Sequence, residues 1–457
     1  MRWIEWEAST ERLQRKKAER DKRTELALVL PAFEAAARQM GFRFARETRL
    51  FGACIEGDID GDHVVAQCTA PAEEPWLTTI TVWLQAPLPH DVWFRSHWRT
   101  GTSLVDDRAG SSEPAADTGD PAFDGLIAVG GRVGAVRALL PAPARHAIAT
   151  LARGAAVRLR KGEFAYEIFE RVTNANRLTA LIHSARTALR TLPHLSDVSA
   201  ALAEAAHSDP VSGVRARCLA TLLSEEPDHP RTSGALDAAL ADPSDSVRVV
   251  AATALGERGV PVLREIAMRE EGDEEPSARA ITLLGRHLPV EQTLAILDSA
   301  LGRKRLAVAA AAIESLGRSG DAAAFPRLLA VLHGDDTGLA VIAADALGDA
   351  ASPATELALI QALASSSNPP LQRAITRALG RAGSIAAIAH LRAMLASGEC
   401  HSSLVPTVQQ AIAAIQARLP DASPGQVSLA EGEAGQVALA DESDSGRLSI
   451  VDKQAGT

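Results

Sequence analysis

Apolar residues change their spacing twice along the 457-residue chain. Between 197 and 419 they recur at helical intervals, and the stretch 242–259, DPSDSVRVVAATALGERG, gives the unit. Asp242-Pro243 predicts a turn, and Asp245 or Ser246 can accept from the free N–H groups that open a helix. Val247, Val250, Ala251, Ala254 and Leu255 then form one apolar stripe. Gly256 and Gly259 stand where a helix is expected to end, since glycine enters the left-handed cap without penalty. Leu284-Gly285, Leu316-Gly317, Leu347-Gly348 and Leu379-Gly380 repeat Leu255-Gly256, with Leu222 before them and Ile415 after, at steps of 33, 29, 32, 31, 32 and 36 residues. Second apolar helices are predicted between the copies, at 197–207, 232–241, 260–269, 290–301, 321–333, 353–365 and 384–396. The unit is a helical hairpin of about 32 residues, which hides its apolar face only by stacking on its neighbours.

Upstream the period falls to two. Phe51, Ala53, Ile55 and Ile59 alternate, and Val64, Ala66 and Cys68 follow the turn Asp60-Gly61, a hairpin signal. Thr78, Ile80, Val82 and Leu84 alternate next, then Val92 and Phe94. Ala155, Val157 and Leu159 lead into the turn Lys161-Gly162, and Phe164, Tyr166 and Ile168 lead out. Short helices are predicted over 132–140 and 143–153, and another over 174–192. The chain therefore reads as multidomain. A helical segment over 1–40 is interrupted or restarted at Pro31. An α+β domain with an antiparallel sheet fills 41–173, with 100–122 a Gly/Ser/Asp-rich loop inside it, and a connecting or capping helix spans 174–196. An all-α solenoid of about seven helix pairs occupies 197–419, and a disordered low-complexity tail 420–457. The tail holds an internal echo, GQVSLAE (425–431), GQVALAD (435–441) and GRLSIVD (446–452), which is either a linker or a set of motifs that join a partner as strands.

Composition supports the division. Only Phe325 among the aromatic residues follows position 170, and all the tryptophans precede 99, so the two halves have different cores. The net charge of −10, with Arg and Asp/Glu interspersed, lacks the basic stripe of a nucleic-acid binder. Cys54, Cys68, Cys218 and Cys400 form no C-x-x-C and read as reduced, buried thiols; Cys54 and Cys68 are the one pair a hairpin could bring face to face. The N-terminal ERLQRKKAERDKR (11–23), near Trp3 and Trp6, alternates in charge and reads as a solvated helix rather than a membrane-surface anchor. No signal-type or membrane-spanning apolar run occurs, so a cytoplasmic setting is expected.

DPVSGVRARCLATLL (209–223), DPSDSVRVVAATALG (242–256) and the later A-x-x-x-L-G echoes resemble HEAT repeats, including the short HEAT-like units of phycobilin-lyase type. The resemblance implies a ladder of Asp and Arg near the start of the second helix of each unit. Arg215 and Arg248 fit the arginine position, while Ser277, Ala309, Ala340 and Gln372 fall there later, so an incomplete ladder is expected. Upstream, TGDPAFDGLIAVGG (118–131) and RALLPAPARHAIATL (137–151) resemble bacterial domains of unknown function, in which a Phe-Asp pair precedes a strand, a helix and a Leu-x-Pro turn. Asp120 and Asp124 are either site residues of that pattern or the caps of a turn.

Catalytic and metal motifs are scarce. Asp58, Asp60 and Asp62 alternate as in a calcium loop, but His63 and Thr69 stand where the EF-hand needs glycine and an acid. Gly130, Gly131 and Gly134 lack the G-x-G-x-x-G spacing of a phosphate loop. The histidines have no metal-ligand spacing, with His90 and His97 near Asp91 the nearest to a cluster; Trp76, Trp83, Trp93 and Trp98 read as sheet core before ligand platform. The sequence thus predicts a non-enzymatic protein–protein interaction scaffold or adaptor, with no cofactor, metal or catalytic residue. Arg215 and Arg248 are its candidate interaction residues and nucleic acid is not an expected partner. The alternatives are a HEAT-like lyase or other enzyme accessory, by analogy of fold, and a nucleic-acid-binding HEAT-like protein.

Overall fold

The computed structural model describes residues 24–47, 52–69, 76–85, 91–97, 116–350, 352–396, 401–418, 427–429 and 437–439. The chain divides into two compact units, Met1–Ala254 and Leu255–Thr457. The sequence places a boundary at 196/197, whereas the first unit keeps four helices beyond it.

Helix α1 covers 24–40 and buries Leu26, Val29, Phe33, Ala36 and Ala37 on one stripe. It runs on through Pro31, which lies on its exposed side, so the predicted interruption does not occur. Strands β1 (Arg43–Glu47), β2 (Gly52–Ile59), β3 (Asp62–Thr69), β4 (Leu77–Trp83), β5 (Trp93–Ser96), β6 (Ile127–Gly130), β7 (Ala156–Arg160) and β8 (Glu163–Ile168) form one sheet in the order β1-β2-β3-β4-β8-β7-β5-β6. Every described pairing is antiparallel. The register aligns Ile55, Ala66, Ile80, Tyr166 and Val157 across five strands, and all are buried. The same register pairs Cys68 with Ala53 and Cys54 with Gln67, so the two cysteines face opposite sides of the sheet and no disulfide joins them.

Helices α2 (Pro121–Asp124), α3 (Val133–Leu139), α4 (Ala142–Ala152) and α5 (Ala175–Leu189) follow the middle strands or the last. Stripes from α1, α4 and α5 enter the core beneath the sheet. Helix α3 looks both ways: Val136 and Leu139 belong to that core, while Ala138 packs with Leu202, Val214, Cys218 and Leu222. Those residues lie on α6 (Val198–Ser208) and α7 (Ser212–Glu225), which are followed by α8 (Pro230–Ala239) and α9 (Asp245–Ala254). The first two helical hairpins are thus packed into the unit that holds the sheet.

In the second unit the hairpins are α10 (Val260–Ala267) with α11 (Glu274–Leu284), α12 (Val290–Gly302) with α13 (Leu306–Ser319), α14 (Phe325–Leu332) with α15 (Thr337–Ala350), α16 (Pro353–Ser365) with α17 (Pro369–Ala382), and α18 (Ile385–Ala396) with α19 (Val405–Ala417). With the two upstream they make the seven pairs the repeat predicts. The Leu-Gly glycines do two different jobs. Gly256 and Gly285 follow the ends of α9 and α11 at φ +55° and +48°, positive values that glycine adopts without a Cβ penalty. Gly317, Gly348 and Gly380 lie inside α13, α15 and α17 and are contact points instead of caps. A Cβ on Gly317 would stand 2.6 Å from Cβ of Ala346, one on Gly348 2.7 Å from Cα of Ala378, and one on Gly380 3.1 Å from Cα of Ala411. Each glycine seats the alanine of the next second helix, so this row of helices packs backbone against backbone.

In the predicted disordered tail, most of which lies outside the described residues, Val427–Leu429 and Val437–Leu439 form strands β9 and β10. They pair antiparallel, Val437 opposite Leu429 and Leu439 opposite Val427, so two copies of the echo meet as a small hairpin.

Candidate functional site

The two arginines singled out as interaction residues are both buried and both engaged. Arg215 on α7 donates from Nε and Nη2 to the two carboxylate oxygens of Asp242 at 2.8 Å each, and from Nη1 to the Asp209 carbonyl at 2.8 Å. Arg248 on α9 reaches Asp245 at 3.1 Å and the Leu240 carbonyl at 3.2 Å. Asp242 also accepts from Ser244 N at 2.7 Å, which caps the turn before α9. Burial opposes its ionisation, but the bonds from Arg215 and Ser244 hold its carboxyl below the usual value. At Ser277, where a ladder arginine is missing, Arg305 of the next hairpin substitutes. It reaches the carbonyls of Arg269 and Gly272 and, at 3.2 Å, Ser277 Oγ.

The ladder begins upstream of the repeats, at a residue that no repeat motif marks. Arg145 on α4 meets Asp209 fork to fork, Nη1 to Oδ2 and Nη2 to Oδ1 at 2.9 Å each, with both side chains almost fully buried. Its Nε donates to Asp120 at 2.9 Å. Asp120 also caps α2 through Ala122 N and Phe123 N, so of its two readings the structure gives the capped turn, with an ion pair added. Asp124 accepts from Thr118 Oγ1 at 2.7 Å. Burial, with the neighbouring Asp117 carboxyl adding to it, pushes the Asp124 carboxyl up. Asp117 is held down, against the cost of burial, by Gly119 N–H and Arg217. Gly119 lies at φ +88° with its own carbonyl against Gly213, a backbone approach that leaves no room for a Cβ on either.

The remaining sequence candidates are also accounted for. Gly134 N, at the start of α3, donates to the carboxylate of Glu225 on α7 at 3.2 Å. Asp60 and Gly61, at φ +48° and +87°, form the hairpin turn between β2 and β3. Asp62 accepts from Arg186 Nε and Arg190 Nε at 2.8 Å each, and Arg186 also bonds Asp60, so one arginine of α5 and the one that caps its end take up carboxylates a calcium ion would need. His97 bonds the Asp124 carbonyl at 3.0 Å, and His90 lies outside the described residues. The described tryptophans of this group have separate neighbours: Trp76 donates to Glu25, Trp83 lies 5.4 Å from the His63 ring and Trp93 covers Gly130; Trp98 lies outside the described residues. Among the described residues no group of three or more His, Cys, Asp or Glu is placed to hold a metal ion. None of the described helices is long and apolar enough to cross a membrane.

Charge left on the surface gathers on successive helices of the second unit. On α17 Arg373, Arg377 and Arg381 stand one turn apart on the exposed side. Asp345 on α15 accepts from Arg377 and Arg381 at 3.0 Å each, and Asp349 pairs with Arg381 at 3.0 Å. Arg373 has no ion-pair partner among the described residues. The arrangement defines a helical-repeat protein with a polar, charged face. Comparison with known families agrees: the HEAT-repeat family matches residues 260–344 and 325–415, and over that span the chain is built of HEAT repeats. No curated protein matches the chain. Among solved structures, that of human deoxyhypusine hydroxylase in complex with glycerol is similar over 48% of this chain and 96% of its own, at 17% identity and a TM-score of 0.22.

Proposed function

We propose that this chain is a non-enzymatic scaffold or adaptor of a cytoplasmic setting, which holds a protein partner on the exposed face of its HEAT repeats. The supporting observation is where the charge goes. Buried arginines and aspartates pair with each other inside the fold at Arg145–Asp209, Arg215–Asp242 and Arg186–Asp62. Exposed charge instead runs along α15 and α17 as a patterned surface, with Arg373 unpaired among the described residues. Such rims steer encounter and select partners by charge complementarity.

The test is affinity purification with the full chain as bait, beside the double variant Arg373→Glu, Arg377→Glu. A partner held by this face is recovered with the wild type and reduced at least tenfold with the variant. Recovery of the same proteins by wild type, variant and an unrelated bait would end the proposal.

A further inference from the structure

Between the start of α12 and the end of α13 lies a cavity of about 400 Å³, lined by Leu288, Pro289, Val290, Ser315, Arg318 and Asp321. Three observations on it are independent. Helix α12 is 13 residues long and no side chain caps its N-terminus, so its first N–H groups face outward without an intrahelical partner. Ser315 is 6% exposed as a residue and lines the cavity; its hydroxyl, not sealed from solvent, has no hydrogen-bond partner among the described residues. Arg318, in the last turn of α13, has no carboxylate partner among the described residues; its Nη1 lies 3.6 Å from where a Cβ of Gly285 would stand, which puts the guanidinium over the turn that leads into α12. Donors of three kinds, from two helices, meet at one cavity whose lining also includes the Asp321 carboxylate.

We infer that the cavity takes a peptide carboxylate, the chain end of a partner, a conclusion that rests on the scaffold reading above and names the partner's chemistry. The carboxylate lies on the α12 N–H groups and Arg318, and the Ser315 hydroxyl donates to it. Asp321 lines the same cavity while capping Ala323 N at 2.9 Å, and Glu291 is exposed in the first turn of α12. These two acids hold down the positive potential, which favours a singly charged carboxylate over a phosphate. Leu288, Pro289 and Val290 give the wall an apolar side, which suits an aliphatic last residue.

Titration calorimetry on the full chain tests this with N-acetyl-alanyl-leucine as free acid, the same dipeptide as its amide, N-acetyl-glutamate amide and inorganic phosphate. The free acid is expected to bind and the amide not. Arg318→Ala should weaken the acid by about tenfold to a hundredfold, and Ser315→Ala by roughly threefold to tenfold, with unchanged circular dichroism. Equal binding of acid and amide, no binding of the acid, or an Arg318→Ala protein that binds as before would overturn the inference. Tighter binding of phosphate would overturn the carboxylate, and tighter binding of the glutamate amide the chain-end assignment. The Arg373→Glu, Arg377→Glu variant should leave this titration unchanged, so that loss of the macromolecular partner and loss of this site are separate results.

Discussion

Arg145 and Asp209 lie 64 positions apart in the chain and form a two-pronged ion pair with side chains 3% and 2% exposed. One belongs to a helix beside the sheet and the other to the turn that opens the first repeat-type second helix. Burial of both charges is tolerated because every prong has a partner: Arg145 also holds Asp120 and the Leu140 carbonyl, and Asp209 also caps Val211 N.

Removing one side of this pair strands the other. Asp209→Ala should destabilise the first unit by about 3–5 kcal/mol, because the guanidinium stays buried without its fork. The tryptophans all precede residue 99, so their fluorescence in a urea titration reads this unit. A loss below about 1 kcal/mol would show that the pair is solvated.

The seating glycines should respond oppositely to the free ones. Gly348→Ala puts a Cβ 2.7 Å from Cα of Ala378, so α15 and α17 must move apart, at a cost of about 1–3 kcal/mol. Gly234, inside α8, has nothing within 4 Å of an added Cβ, and Gly234→Ala should stabilise by about 0.4–1 kcal/mol. Hydrogen exchange of the two helices would separate the cases.

Acid should loosen the first unit through particular carboxyls. Burial works against ionised Asp242 and Asp62, yet Arg215 with Ser244 N–H, and Arg190 with Arg186, hold both below the ordinary 3.8. A lowered folded value means stability that is fully present above 3.8 and lost as pH falls through the folded value. Asp124, raised by burial, acts in the other direction and regains a little stability on protonation. Tryptophan fluorescence in urea between pH 6 and pH 3 should therefore show stability falling below about pH 4, and less steeply in Asp242→Asn.

The Cys218 thiol is pushed up to about 12 by burial, against the pull of Arg137. It should resist iodoacetamide at pH 8 in the native protein and react once unfolded. Among the described cysteines the partly exposed Cys54 should label first, and peptide mapping by mass spectrometry distinguishes them.

Much of this fold could be read from apolar spacing. The first helices of the hairpins fall close to their predicted spans, as at α12 and α16, because each carries its stripe between clear turns. The hairpins at Asp60-Gly61 and Lys161-Gly162 were legible too, since positive φ at those turns restricts the residue choice. Three features were not. Pro31 signals a break, but the buried stripe of Leu26, Val29 and Phe33 keeps α1 in one piece. Identical Leu-Gly pairs end α11 yet sit inside α13, because the role depends on where a neighbouring helix presses. Arg145 has no local signal, since its partner is distant in sequence. At the site, residue types were readable and their surroundings were not: Arg215 and Arg248 match the repeat's arginine position, and both are buried and hydrogen-bonded within the fold.

The glycine-on-alanine seats carry a consequence for how such a chain changes over generations. Gly317 on Ala346, Gly348 on Ala378 and Gly380 on Ala411 are the same joint made three times. Duplication or loss of one hairpin in that stretch would bring together another glycine and another alanine and re-form the joint, so array length there is free to drift. The hairpins bolted to α3 and α4 by unique contacts have no such interchangeability and should stay fixed in number.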